Sequence, residues 1–174
     1  MSQTQTNPHG LPTSSGKLHV GVLSDRELMF TRVFNAPREL VFRAWTEPQL
    51  IRRWLGVFGD ITMDVCEVDL RVGGAFRYVW VSPNMRMGLS GTYQEIVRPE
   101  RLAVRLRFDE SWYPGDEEDV SVFTEKNGKT TLVQIARYAS KEARDIVLAS
   151  PAEYGVSAGY DNLDTVLASL GGAR

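Results

Sequence analysis

The sequence predicts an α+β fold in which a curved antiparallel sheet wraps around a long C-terminal helix, with two short helices after the first strand. Three observations lead to this. A strand pattern near residue 30 runs directly into two amphipathic helix patterns, alternating segments separated by turn residues fill the middle of the chain, and the last helix pattern carries one apolar stripe. Because that helix must bury its stripe, we expect it to lie on the sheet.

Length and composition indicate one globular domain. A chain of 174 residues can bury a core, and 43% hydrophobic with 24% charged residues is ordinary for this class. We expect a polar tail over residues 1–25 and a single domain over residues 26–171. The tail lacks the pattern of a secretory signal, and the alternation at 17–23 is compatible with a short edge strand.

Charge and cysteine content narrow the classes of partner. The net charge is −2 and the basic residues are interleaved with acids, so no nucleic-acid partner is expected. No apolar run approaches the roughly 20 residues that span a bilayer. Cys66 is the only cysteine, which excludes an internal disulfide and favours a cytoplasmic location. His9 and His19 are interpreted as solvated, so no metal ion or cofactor is expected.

The first elements are a strand and two short helices. Apolar residues alternate over 27–34, which predicts the strand. We expect Asn35 to cap the first helix, with Pro37 in its first turn, where a missing amide costs nothing. Thr46 is expected to cap the second helix, and Gly56 is its stop signal. Each helix has one apolar face, so the pair is expected to plug or rim the sheet.

The middle of the chain is predicted to be an antiparallel meander. Turn residues at 73–74, at 82–84 and at Asn127-Gly128 separate segments of period-two alternation. The alternation changes phase at Val65-Cys66, which predicts a bulge. Asp69 and Arg71, placed on one strand face, are interpreted as an ion pair that holds the next turn rather than as a ligand clamp.

The last segment is predicted to be helical. Ser140 is a suitable cap for one helix, and Ser150 with Glu153 three positions later forms a capping box for the next, which has Pro151 in its first turn. The apolar stripe of this long helix consists of Val156, Tyr160, Leu163, Leu167 and Leu170.

Seven segments, each weak alone, are specific in combination: residues 32–37, 44–48, 69–74, 91–96, 99–102, 140–145 and 159–163. Through them the chain resembles the heat-shock protein 90 ATPase activator homologue-like family of the START-like (SRPBCC) superfamily, over roughly residues 26–170. The resemblance implies a helix-grip fold that encloses a hydrophobic cavity. Leu55, where an aromatic residue is common, and Pro151-Ala152, in place of a commoner Gly-Met, depart from the family pattern and would alter the shape of the cavity.

The resemblance and the aromatic content together suggest which side chains line this cavity. The candidates are Trp45, Trp54, Met63, Phe76, Tyr78, Trp80, Leu89, Tyr93, Phe108, Trp112 and Tyr160. Tyr hydroxyl and Trp indole groups would orient a ligand in an otherwise apolar pocket. The alternative for each ring is that it is simply part of the core.

Residues 109–119 form an acidic segment that carries Trp112 and Tyr113. The segment is interpreted either as a solvated hairpin connection or as a flexible lid or partner-binding surface.

No catalytic residue is predicted. Ser90 and Ser121 lack a histidine partner inside the domain, and the neighbouring carboxylates Glu67 and Asp69 show no sign of a converging cleft. The preferred hypothesis is therefore non-enzymatic binding of a small hydrophobic or aromatic ligand, lipid-like or polyketide-like, between the sheet and the last helix.

Two alternatives stay open. The family name suggests a protein–protein role as a chaperone ATPase activator or stress-response regulator. Relatives elsewhere in the superfamily act as cyclases, aromatases or hydrolases, and such an enzyme needs an acid or base in the cavity, so a buried Asp or Glu facing an open cavity would favour it. Apolar residues of the first strand or the tail would support a homodimer.

Overall fold

The computed structural model describes residues 17–171, so residues 1–16 of the tail predicted over residues 1–25 lie outside them. None of the described helices is long and apolar enough to cross a membrane. In chain order the elements are β1 (His19–Ser24), β2 (Glu27–Phe34), α1 (Arg38–Thr46), α2 (Pro48–Trp54), β3 (Val57–Phe58), β4 (Ile61–Val68), β5 (Ala75–Ser82), β6 (Met85–Val97), β7 (Arg101–Phe108), β8 (Glu117–Lys126), β9 (Lys129–Arg137), α3 (Lys141–Ala149) and α4 (Ala152–Gly171).

The strands join one antiparallel sheet in the order β1-β2-β9-β8-β7-β6-β5-β4-β3. Strands β3 to β9 follow one another as hairpins. Helices α1 and α2 separate β2 from β3 in sequence, and β2 pairs with β9. The curved sheet grips α4, whose residues Tyr160, Leu163 and Leu167 are buried. The α+β helix-grip fold predicted from the sequence is confirmed.

The caps of α1 and α2 differ from the prediction. Pro37, not Asn35, is the N-cap residue of α1, and its ring fixes the extended entry into the helix, which leaves Asn35 too early to reach the first amides. Glu47, not Thr46, is the N-cap residue of α2. The hydroxyl of Thr46 is already used, because it donates to the carbonyl oxygen of Phe42 at 2.9 Å and so closes α1.

Several turn predictions hold in detail. Asn127-Gly128 has φ values of 53° and 74° and joins β8 to β9. The register of β4 shifts between Met63 and Val65, next to the predicted phase change.

Asp69 and Arg71 lie in the turn after β4 and not on a strand, so their predicted placement on one strand face was wrong. The expected ion pair is nevertheless present, with Arg71 Nε 2.8 Å from Asp69 Oδ2.

One buried cation ties α4 to the sheet. Arg32 on β2 is 1% exposed, and its Nη2 lies 2.8 Å from an Asp161 oxygen and 2.5 Å from an Asp164 oxygen on α4. The guanidinium carbon also lies 5.7 Å from the ring centre of Phe34. Because both carboxylates stay partly hydrated, these contacts position the helix more than they stabilise it.

Candidate ligand-binding cavity

A cavity of about 630 Å³ lies between the inner face of the sheet and the first half of α4. Strands β5 to β9 form most of its wall, and Trp45 and Trp54 close one side. Trp112 and Tyr154 lie at its edge, where they are 44% and 79% exposed. The edge near these two side chains is therefore its mouth.

Most of the side chains predicted to line a cavity do line this one. They are Trp45, Trp54, Phe76, Tyr78, Trp80, Leu89, Tyr93, Phe108, Trp112 and Tyr160. Met63 is not among them. It packs beside Gly56, and its carbonyl oxygen accepts a hydrogen bond from Arg52 Nη1 at 2.6 Å. Contact between the lining residues and a ligand stays a prediction.

Two of the tryptophans offer ring surface rather than hydrogen-bond donors. The indole nitrogen of Trp54 donates to the carbonyl oxygen of Ala44 at 2.9 Å, and that of Trp80 donates to Leu55 at 2.7 Å. The ring centres of Trp45 and Trp54 lie 4.8 Å apart. The indole groups of Trp54 and Trp80 are therefore already satisfied by backbone, and these rings contribute shape and π-surface to the cavity.

A second group of rings lies on β5 and β6. The centre of the Phe76 ring is 5.3 Å from the ring centres of both Tyr78 and Tyr93. Gly91 makes room for it, because a Cβ there would lie 2.1 Å from the Phe76 ring. Burial raises the pKa of Tyr78 well above its usual value and that of Tyr93 to about 12. Both hydroxyls therefore stay protonated and act as neutral polar groups.

The cavity also has a polar end, which the sequence analysis missed. Alternation along β8 turns Glu117 and Asp119 towards the cavity and Glu118 outward, where Glu118 lies 2.5 Å from Arg105. These three acids had been assigned to a connecting segment. That assignment was wrong, because β8 already begins at Glu117 and its pleat gives each side chain a fixed direction.

Hydrogen bonds connect the side chains of this polar end. The hydroxyl of Tyr113 donates to a Glu117 oxygen. Gln134 Nε2 donates to Asp119 Oδ2 at 2.7 Å, and the hydroxyl of Tyr160 donates to Gln134 Oε1 at 2.8 Å. Among residues 17–171, the buried Oδ1 of Asp119 has no hydrogen-bond partner. Asp119 is thus oriented through one oxygen, and the only partner available to the other among residues 17–171 is a proton shared with Glu117.

The carboxyls of the polar end are easier to protonate than usual. Burial raises the pKa of Asp119 well above its ordinary value, and the nearby Glu117 raises it further. Burial also raises the pKa of Glu117. Because the two groups share one face of β8, their repulsion favours a state in which the pair holds a proton. Burial and the charge of Glu117 raise the pKa of Tyr113 and Tyr138, so both phenols stay neutral.

The segment before β8 takes part in the cavity. Tyr113 is 4% exposed, and its ring centre lies 5.0 Å from that of Trp112, with both rings at the cavity wall. Asp109 at the start of the segment accepts two hydrogen bonds from Arg77, each at 2.6 Å. The segment is thus joined to the sheet and contributes two rings near the mouth.

Comparison with known proteins agrees with this architecture. A family model described as "Activator of Hsp90 ATPase homolog 1-like protein" matches residues 35–168. No curated protein matches the sequence. Among solved structures, a protein from Rhodobacter sphaeroides is 32% identical with a TM-score of 0.82, over 87% of this chain and 98% of that chain.

Two further solved structures support the fold alone, because their sequences are more distant. A protein from Mycobacterium smegmatis is 24% identical with a TM-score of 0.77, over 87% of this chain and 97% of that chain. A protein from Nitrosomonas europaea is 22% identical with a TM-score of 0.75, over 87% of this chain and 99% of that chain.

Proposed function

We propose that this chain, which belongs to the Activator of Hsp90 ATPase homolog 1-like family of the START-like (SRPBCC) superfamily, binds a small apolar, ring-bearing molecule beneath α4. The observation that carries the proposal is the 630 Å³ cavity with its almost entirely apolar and aromatic wall. Ligand pockets typically have volumes of about 300–1,000 Å³, with a few polar groups that fix orientation. The polar end around Asp119 supplies such groups.

The experiment is native mass spectrometry of the protein purified without detergent or organic solvent. We expect a population whose mass exceeds that of the chain by one small molecule, and this mass should disappear after denaturing extraction. If the protein carries no such mass, and a panel of neutral aromatic compounds raises its melting temperature by less than 1 °C, the proposal is wrong. The same spectrum tests the predicted homodimer.

Proton transfer to or from the bound molecule is a second candidate function. The observation in its favour is that Glu117 and Asp119 are carboxyls with raised pKa values at the wall of an open cavity. A buried carboxyl whose pKa is raised can act as a general acid while it is protonated and as a base once it is ionised. Turnover of a bound compound by the wild type that is lost in Glu117→Gln and Asp119→Asn would establish it.

A chaperone partner is the remaining alternative, and the family description alone suggests it. A pull-down with the matching Hsp90-type chaperone, followed by its ATPase assay, separates this role from ligand binding. Stimulation of the ATPase that survives filling of the cavity would favour the chaperone role.

A further inference from the structure

Resting on the proposed function, we propose that the cavity selects molecules in which an apolar ring system carries a protonated amine, and that Asp119 and Glu117 bind this amine. Three observations about the described residues carry it.

The first observation is the charge of the wall. Glu117 and Asp119 are the charged side chains among the described residues that line the cavity, and none of those lining residues is Lys, Arg or His. Arg32 does not line the cavity. Its Nη2 is paired with Asp161 and Asp164, and its buried Nε and Nη1 have no hydrogen-bond partner among residues 17–171. A carboxylate-bearing ligand such as a fatty acid would thus meet two acids and find no cation.

The second observation is the unpaired oxygen. Asp119 is 7% exposed, Gln134 occupies its Oδ2 at 2.7 Å, and its buried Oδ1 has no partner among residues 17–171. Gln134 is held in turn by Tyr160 at 2.8 Å, so the amide cannot turn to the second oxygen without losing that bond. Without a ligand, a proton shared with Glu117 is the donor that this oxygen can use. A ligand ammonium group would replace that proton, because it brings both an N–H donor and a positive charge to the two acids.

The third observation is the ring environment of the two acids. The ring centres of Tyr113 and Tyr138 lie 5.6 Å apart at 88°, and both rings line the cavity beside Glu117. Aromatic rings around a carboxylate form a favourable site for an ammonium group, since the ring faces attract cations and the acid neutralises the charge. A neutral hydroxyl would gain one hydrogen bond but not the charge interaction.

The test uses three probes with one ring system: 2-naphthylmethylamine, 2-naphthylmethanol and 2-naphthoate. Their affinities are measured by isothermal titration calorimetry at pH 7.5 with the full chain. We expect the amine to bind at least about tenfold more tightly than the alcohol, and the carboxylate to bind more weakly than the alcohol.

The variants Asp119→Asn and Glu117→Gln keep the shape of each side chain and remove its charge. Asp119→Asn should weaken the amine at least about tenfold while the alcohol changes less than about twofold, and Glu117→Gln should act in the same direction. Glu118→Gln is the matched control, because it removes an outward-facing carboxylate from the same strand. It should leave all three affinities unchanged.

The outcomes separate this inference from the proposed function. If the wild type binds the alcohol or the carboxylate as tightly as the amine, or if the preference for the amine survives both substitutions, the inference is wrong while ligand binding stands. If none of the three probes binds the wild type, both the proposed function and the inference are contradicted.

Discussion

Replacing Trp54 by Phe tests how the tryptophan pair is held at the cavity wall. In a continuing helix the amide of residue 48 would bond to the carbonyl oxygen of Ala44, but residue 48 is Pro48 and has no N–H. The indole of Trp54 supplies the missing donor at 2.9 Å, while Ala44 is fully buried and Trp54 is 4% exposed. The substitution therefore leaves a buried carbonyl without its donor and also removes ring atoms from the core.

The expected cost is about 2–4 kcal/mol, made up of about 1–3 kcal/mol for the unsatisfied carbonyl and the rest for lost packing. At about 2–4 °C per kcal/mol for a chain of this size, the melting temperature should fall by about 5–15 °C in calorimetry. Trp112→Phe is the matched control, since Trp112 is 44% exposed, and it should cost less than about 1 kcal/mol. Equal losses for the two variants would refute the role assigned to the indole.

Three further predictions concern the acid pair, the mouth and the grip on α4. Burial raises the pKa of Asp119 in the folded state. Its contribution to stability is therefore present below the unfolded pKa of about 3.9 and is lost as the pH rises towards the folded value. In urea unfolding, Asp119→Asn should gain stability relative to wild type as the pH is raised above about 4. A constant difference between the two proteins would contradict this. Trp112→Ala should weaken binding of a neutral aromatic probe severalfold while the melting temperature changes by less than about 3 °C. Unchanged affinity would contradict the assignment of Trp112 to the mouth of the cavity. Leu163→Ala should lower the free energy of unfolding by about 2–5 kcal/mol, because Leu163 is fully buried. Leu148 is 45% exposed, so the control Leu148→Ala should cost less than about 1 kcal/mol. Similar unfolding midpoints for the two variants would show that α4 is not held through its apolar stripe.

Elements with a strong local signal were predictable from the sequence. The strand over Glu27–Phe34, the turn at Asn127-Gly128 and the stripe of α4 depend on periodicity and turn chemistry that neighbouring residues determine. The caps of α1 and α2 were not, because Asn35 and Thr46 are good capping residues whose role is decided by where Pro37 and Pro48 let each helix begin.

The aromatic wall was predictable, whereas the polar end was not. Five of the candidates are rings at inward positions of strands, namely Phe76, Tyr78, Trp80, Tyr93 and Phe108. With Leu89, Trp45, Trp54, Trp112 and Tyr160 they make up the ten of eleven candidates that line the cavity. Glu117 and Asp119 stand in a run of acids that is typical of a solvated connection. Val120 and Val122 lie on the opposite face of β8, so the apolar alternation there gave no signal that the two acids face inward.

Filling the cavity is the most direct test of ligand binding beneath α4. Val104 on β7 lines the cavity, and Val104→Trp would place a large ring inside it, whereas Ala103→Trp places the same ring on the opposite face of the strand. We predict that 2-naphthylmethanol binds the wild type and Ala103→Trp with similar affinity and binds Val104→Trp at least about tenfold more weakly, with Val104→Trp still folded by circular dichroism. Equal affinity for Val104→Trp and wild type would contradict the claim that the ligand lies in this cavity.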